Sequence, residues 1–274
     1  MNIPSFTVLG GGPTVLMLHG IGGGHLAFAP QVESLASAGY RAVAWDMPGY
    51  GRSAPIEPYT FKGLAHSCVT LIEALLGGEE ERAAASGGRP RGITLLGHSM
   101  GGMVAQEVVA RRPELVNRLI LCGTSASFGK PDGEWQREFI AQRTAPLDAG
   151  QSMSDLAEVL VPQMVGPGSL PEGVRLAAHC MSQVPGSTYR RALEAMLTFD
   201  RRANLPLIHV PTLLLAGEHD RNAPPPVMKK MAAAIPGSTF LEMPGVGHLQ
   251  NLEAPDDFDA LVLNFLTLPP ALLH

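Results

Sequence analysis

The stretch Ile93-Thr94-Leu95-Leu96-Gly97-His98-Ser99-Met100-Gly101-Gly102 decides how this chain folds. A short apolar run enters Gly97, and a helical pattern runs from Met100 to Arg112, stopping before Pro113. Between them Ser99 stands in the chain's one Gly-x-Ser-x-Gly match, the pattern of a sharp strand-to-helix turn. Such a turn strains the serine backbone and brings strand and helix so close that the residues two before and two after it need to lack a Cβ. Gly97 and Gly101 meet that need, and Gly102 extends the room. A serine exposed at the end of a buried strand is a candidate nucleophile.

The strand before the turn is one of five short apolar runs, at 14–18, 42–45, 93–96, 119–122 and 212–216. They are rich in Val, Ile and Leu and do not alternate, which predicts parallel strands buried on both faces. Helical patterns at 28–38 and 60–76 end at Gly39 and at Gly77-Gly78. Strands alternating with helices predict βαβ units and a mostly parallel sheet with right-handed crossovers. Residues 128–205 break the rhythm, with helical stretches at 133–143, 154–164, 172–181 and 188–197 and no strand pattern. Sheet pattern resumes at Thr212, continues at 239–242, and is followed by an amphipathic helix at 255–268. We therefore expect a core domain formed by 1–127 and 206–274, with 128–205 inserted as a helical cap. Residues 77–92, a charge run among small residues, are expected to form a mobile surface loop.

The chain has 274 residues, 45% apolar and 16% charged, enough for a sizeable core. Its 31 Gly and 24 Pro stay below the share that marks low-complexity disorder. The net charge is −5 and no basic stripe is present, which argues against a nucleic-acid partner. No apolar run has the length of a membrane span and no signal peptide opens the sequence, so a cytoplasmic protein without membrane association is expected. Cys68, Cys122 and Cys180 are odd in number and widely spaced; they read as core residues rather than disulfide or zinc positions. The Gly-rich stretches fit neither a P-loop nor a dinucleotide fingerprint, so no metal, nucleotide or organic cofactor is expected.

A serine hydroxyl needs a base to take its proton. His248 is the candidate, in the glycine-rich loop Pro244-Gly245-Val246-Gly247-His248 after the last predicted strand. An imidazole base needs an anion to fix its tautomer, and Asp220, just past the strand at 212–216, qualifies. The attacked carbonyl oxygen needs two backbone N–H donors. Met100 supplies one at a helix N-terminus, and Ile21 of His19-Gly20-Ile21-Gly22-Gly23-Gly24 supplies the other, with Gly22 as the alternative. His98, His219 and Asp46 read as structural. His25, Phe28 and Trp135 are candidate pocket residues, as are Met153, Met164, Met181 and Met196. Arg143, Arg175, Arg190 and Arg191 could receive a substrate carboxylate, and no sequence feature selects one.

The His-Gly turn, Asp46-Met47-Pro48-Gly49-Tyr50-Gly51-Arg52-Ser53, the serine turn, and the order Ser99, Asp220, His248 resemble the α/β-hydrolase family over nearly the whole chain. Within it, Gly123-Thr124-Ser125-Ala126-Ser127-Phe128-Gly129, Trp135-Gln136-Arg137, Val210-Pro211-Thr212-Leu213 and His248-Leu249-Gln250-Asn251-Leu252-Glu253-Ala254-Pro255 resemble the 3-oxoadipate enol-lactonase branch. Gly20-Ile21-Gly22 and His98-Ser99-Met100 are closer to general esterases and to carbon–carbon hydrolases of ring-cleavage pathways. The resemblance implies a capped α/β-hydrolase fold and a serine hydrolase acting on a small carboxylic ester or lactone. Carbon–carbon bond hydrolysis is the alternative activity, and a non-enzymatic ligand receptor is the third reading. The oligomeric state is left open.

Overall fold

The computed structural model describes residues 2–84, 92–128 and 133–268. Seven strands form one sheet in the order β1-β3-β2-β4-β5-β6-β7. They are β1 (Phe6–Leu9), β2 (Thr14–Leu18), β3 (Arg41–Trp45), β4 (Ile93–His98), β5 (Val116–Cys122), β6 (Thr212–Gly217) and β7 (Thr239–Met243). All neighbours run parallel except β1, which pairs antiparallel with β3 at the edge. The expected runs all fall in the sheet's interior, where every residue of β2, β4 and β6 is buried.

Successive side chains of a strand point to opposite faces, and the two cores follow that alternation. Leu16, Leu18, Val43 and Trp45 pack on one face with α2 (Phe61–Ala84), α3 (Met100–Arg111) and α8 (Pro225–Ala234). Val15, Met17, Ala42 and Ala44 pack on the other with α1 (Ala29–Ser37) and α10 (Pro255–Thr267). Apolar runs without alternation follow from this double cover.

Between β5 and β6 the chain forms α4 (Glu134–Asp148), α5 (Met153–Met164), α6 (Pro171–Ser182) and α7 (Gly186–Met196). Leu156 and Val161 of α5 and Tyr189 and Leu193 of α7 join the first core, so this segment packs on the sheet's helical layer. The short α9 (Gln250–Glu253) precedes α10. No helix among the described residues is long and apolar enough to cross a membrane.

Three readings need correction. The helix expected to stop at Gly77-Gly78 runs on to Ala84, so residues 77–84 of the expected loop are helical, and 85–91 lie outside the described residues. Glycine costs only about 1 kcal/mol inside a helix, and Glu79-Glu80-Glu81-Arg82-Ala83-Ala84 are strong helix formers that carry it onward. Gly77 does not take the left-handed φ of a terminating glycine. Strand β1, which was not anticipated, is an exposed edge strand with little apolar pattern. Helix α8, also unanticipated, begins at Pro225, with Pro224 as its N-cap.

Candidate active site

Ser99 has φ 53° and ψ −121° and is the one non-glycine residue with positive φ among the described residues. A conformation of this kind costs on the order of 1–3 kcal/mol and persists only where its surroundings enforce it. Ser99 N donates to Cys122 O of β5 at 2.9 Å, while Thr124 Oγ1 and Gly102 N donate to Ser99 O at 2.7 and 2.9 Å. The glycines have the predicted reason to be there. A Cβ on Gly97 would stand 2.5 Å from Gly101 O, and one on Gly101 would overlap the Leu18 carbonyl oxygen.

His248 Nε2 lies 3.0 Å from Ser99 Oγ, and His248 Nδ1 lies 2.8 Å from Asp220 Oδ2. A carboxylate only accepts, so Nδ1 carries the proton and Nε2 is left to receive one from the serine. The other Asp220 oxygen accepts from Asn222 N and Ala223 N at 2.8 and 2.9 Å. Burial alone would raise the Asp220 pKa, but the His248 charge and hydrogen bond and the two N–H donors hold it below the ordinary carboxylate value. Both Asp220 and His248 are buried.

Met100 is the first residue of α3, where a backbone N–H has no intrahelical acceptor. The peptide that carries Ile21 N–H is fixed through its carbonyl. His19 Nδ1 donates to Gly20 O at 2.7 Å and Gly23 N donates to it at 3.0 Å. In a trans peptide the N–H points opposite to the carbonyl. His19 Nε2 accepts from Met47 N at 3.0 Å, which sets the tautomer that makes Nδ1 a donor. This peptide sits against Ser99, since a Cβ on Gly20 would lie 3.0 Å from Ser99 Cβ.

Ser99 and His248 open onto a cavity of about 290 Å³ whose wall is shared by the turn at 20–23, the serine turn and α4–α7. Trp135, Met164, Met181 and Met196 line it, as expected; Met153 is buried in the core instead. Cys180, read as a plain core residue, also reaches the wall. Phe28 belongs to the opposite core, and His25 turns away to Asp46, donating its N–H to Oδ1 at 2.9 Å. Asp46 also accepts from Ser5 Oγ at 2.9 Å, so its carboxylate ties together the segments at Ser5 and His25.

Of the four candidate arginines, Arg143 alone lines the cavity. Arg175, Arg190 and Arg191 pair with Glu172, Asp148 and Glu57. Trp135, Phe139 and Arg143 recur at four-residue spacing on α4, which stacks them on one face. The Arg143 guanidinium carbon lies 3.4 Å from the Phe139 ring centroid. That spacing was the sequence signal that could have selected Arg143. Burial pulls the Arg143 pKa down, as expected for a cation with no facing carboxylate.

Two site residues were not anticipated in function. Gln250 lies beneath His248 and, with its amide nitrogen turned towards His248 O, donates to it at 3.1 Å while accepting from Gly217 N. Glu253 accepts from Gly247 N and Leu249 N on either side of His248. Among the described residues no group of three or more His, Cys, Asp or Glu is arranged to hold a metal ion.

A seven-stranded, mostly parallel sheet bearing a serine on a strained turn at the carboxyl end of β4 defines a class of proteins, and residues 13–255 match the family described as alpha/beta hydrolase fold. The chain belongs to that family. It is 28% identical over 266 residues to the candidate carbamate hydrolase RutD of Pseudomonas syringae pv. syringae, covering 94% of this chain and 95% of that protein. The crystal structure of the enol-lactonase from Burkholderia xenovorans LB400 is similar with TM-score 0.81 and 26% identity over 96% of each chain. A thermophilic esterase from Thermogutta terrifontis, solved with malate bound, is similar with TM-score 0.81 and 27% identity, over 96% of this chain and 92% of that one.

Proposed function

We propose that this chain is a serine hydrolase that cleaves a small carboxylic ester or lactone through an acyl-enzyme. The observation that carries the reading is the continuous hydrogen-bond line from Ser99 Oγ through His248 to Asp220. Ser99 Oγ attacks the carbonyl carbon while His248 Nε2 takes the hydroxyl proton, and Asp220 stabilises the imidazolium that results. The Ile21 and Met100 N–H groups receive the developing oxyanion. His248 gives the proton to the leaving alkoxide, the C–O bond breaks, and the acyl group stays on Ser99. Water then attacks the acyl-enzyme with His248 as base and releases the acid. Every proton in this sequence moves through groups of the chain or water.

The mainly apolar wall favours a compact apolar substrate, and Arg143 favours one with an acidic group away from the scissile carbonyl. Similarity to an enol-lactonase and to an esterase supports the bond type. Similarity to a candidate carbamate hydrolase makes carbamates the second class to assay, since the same attack on a carbamate carbonyl gives a carbamoyl-enzyme.

The test is steady-state turnover of a short p-nitrophenyl ester series by the wild type and by Ser99→Ala. Multiple turnover that disappears in the variant is the expected result. Equal activity in both proteins would remove Ser99 from the mechanism. Inactivity of both would move the assay to lactones, carbamates and dienoic ring-cleavage ketones.

A further inference from the structure

Glu253, the last residue of α9, is completely buried and has no cationic partner among the described residues. A buried carboxylate without a counter-ion costs several kcal/mol unless hydrogen bonds replace its water shell. Here four donors do so. Oε2 accepts from Gly247 N at 2.7 Å and Gly166 N at 2.7 Å and lies 2.5 Å from Ser169 Oγ, whose one proton it shares with Gly166 O at 2.7 Å; Oε1 accepts from Leu249 N at 2.7 Å.

Two of these donors flank His248, and the other two lie in the connection between α5 and α6. Other bonds join the same two segments. His248 N donates to Met164 O at 2.7 Å, Gly168 N to Gly245 O at 2.8 Å, and Leu170 N to Glu253 O at 2.9 Å. The loop that carries the base is thus gripped from the sheet side by Asp220 and from the α5–α6 side through one carboxylate. Only a carboxylate accepts on both oxygens without offering a donor; an amide at this position would turn an N–H towards other N–H groups.

We infer that Glu253 is a positioning residue, which fixes the peptide of His248 on both sides and makes the setting of that base depend on docking of the α5–α6 connection. This rests on the proposed role of His248 as base. The groups facing His248 are Asp220 and Ser99 at the ring, His98 at the backbone carbonyl and 5.0 Å away ring to ring, Gln250 at the same carbonyl, and Glu253 at the flanking N–H groups. His98 is neutral, so Asp220 and Glu253 are the charged groups among them.

The experiment uses the full chain and Glu253→Gln, with p-nitrophenyl acetate turnover across pH and an NMR titration of the His248 ring that needs no substrate. Loss of the anion is expected to move the His248 midpoint to lower pH. Misplacement of the base is expected to lower kcat by about 10²-fold with KM little changed. Glu253→Asp, which keeps the charge, should bring the midpoint back towards wild type while restoring kcat only in part. An unshifted midpoint with wild-type kcat overturns the inference. A wild type that does not turn over the ester tells against the proposed function, and the titration still decides the role of Glu253. Should Glu253→Gln fail to fold, Ser169→Ala decides: it removes the hydroxyl that Glu253 Oε2 and Gly166 O share, and amide exchange at His248 and Leu249 is expected to quicken. Unchanged exchange there overturns the inference.

Discussion

His98 Nε2 donates to the backbone carbonyl of His248 at 2.7 Å, so the residue that precedes Ser99 ties the strained turn to the loop bearing His248. Burial pushes the His98 pKa down to about 3, which keeps the ring neutral and its Nε2 proton fixed on that carbonyl. The side chain inside the Gly-x-Ser-x-Gly pattern therefore sets a distance between two loops. We predict that His98→Ala lowers kcat by up to about 10²-fold while leaving KM near wild type, because the carbonyl loses the shorter of its two donors, keeping only Gln250, and His248 drifts. Wild-type kcat in a folded His98→Ala protein would remove this tie from the mechanism.

Two buried histidines also govern acid stability. Burial lowers His19 from 6.5 to about 4 and His98 from 6.5 to about 3. Between these values and 6.5 the unfolded chain binds protons that the folded chain refuses, so stability falls as pH falls. Each histidine contributes a slope of about 1.4 kcal/mol per pH unit in that window, and the slope ends near pH 4 for His19 and near pH 3 for His98. Burial would raise Asp46, Glu107 and Asp220, but the groups that face them, His25 and Ser5 at Asp46, the Arg201 and Arg111 cations at Glu107, and His248 with two N–H donors at Asp220, hold all three below the ordinary range. Their stabilisation is present at neutral pH and is lost as pH drops through their folded values, the same direction. We predict that the urea midpoint starts to fall just below pH 6.5, before carboxylates protonate, and that His98→Gln flattens the fall by about one proton's slope. A midpoint constant from pH 7 to 5 would contradict this.

The parts of this architecture that were legible in advance are those where one residue type is the only physical solution. Gly97 and Gly101 have no room for a Cβ, five strands are buried on both faces, and an acid and a base follow strand ends. What was not legible depends on packing. The glycine pair at 77–78 reads as a stop, but the helix formers after it override a penalty of about 1 kcal/mol each. Glu253 looks like any helix-end acid in Leu249-Gln250-Asn251-Leu252-Glu253; its four donors come from two distant segments, at Gly166 and Ser169 and at Gly247 and Leu249. Arg143 was one arginine of four until the partners of the other three were seen, although Trp135, Phe139 and Arg143 already shared a helical face.

Asp220 offers a test that separates geometry from tautomer. Its Oδ1 is committed to Asn222 N and Ala223 N, so an asparagine at this position must keep its oxygen there and turn its NH₂ towards His248. A donor facing Nδ1 favours the tautomer with the proton on Nε2, which cannot accept from Ser99. We predict that Asp220→Asn loses about 10⁴-fold in kcat with its fold retained. Activity within tenfold of wild type would mean that another group orients His248.

Arg143 is the one permanently charged side chain on the cavity wall, is half-buried, and faces no carboxylate among the described residues. Its Nη1 reaches only Phe139 O of its own helix, at 3.3 Å, leaving most of the guanidinium donors for an incoming anion. A charged hydrogen-bonded pair in such a setting contributes about 1.5–3 kcal/mol, or roughly 10- to 10²-fold in kcat/KM. We predict that the p-nitrophenyl half-ester of a short dicarboxylic acid is turned over better than the neutral ester of matched length, and that Arg143→Met removes this preference. Stacking on Phe139 gives methionine a place to lie, so the neutral ester should lose far less than the acid-terminated one. If both substrates fall together in Arg143→Met, the arginine supports the α4 wall and does not read substrate charge. If the wild type shows no preference, the acidic group has no place in the substrate, and the apolar wall alone sets selection.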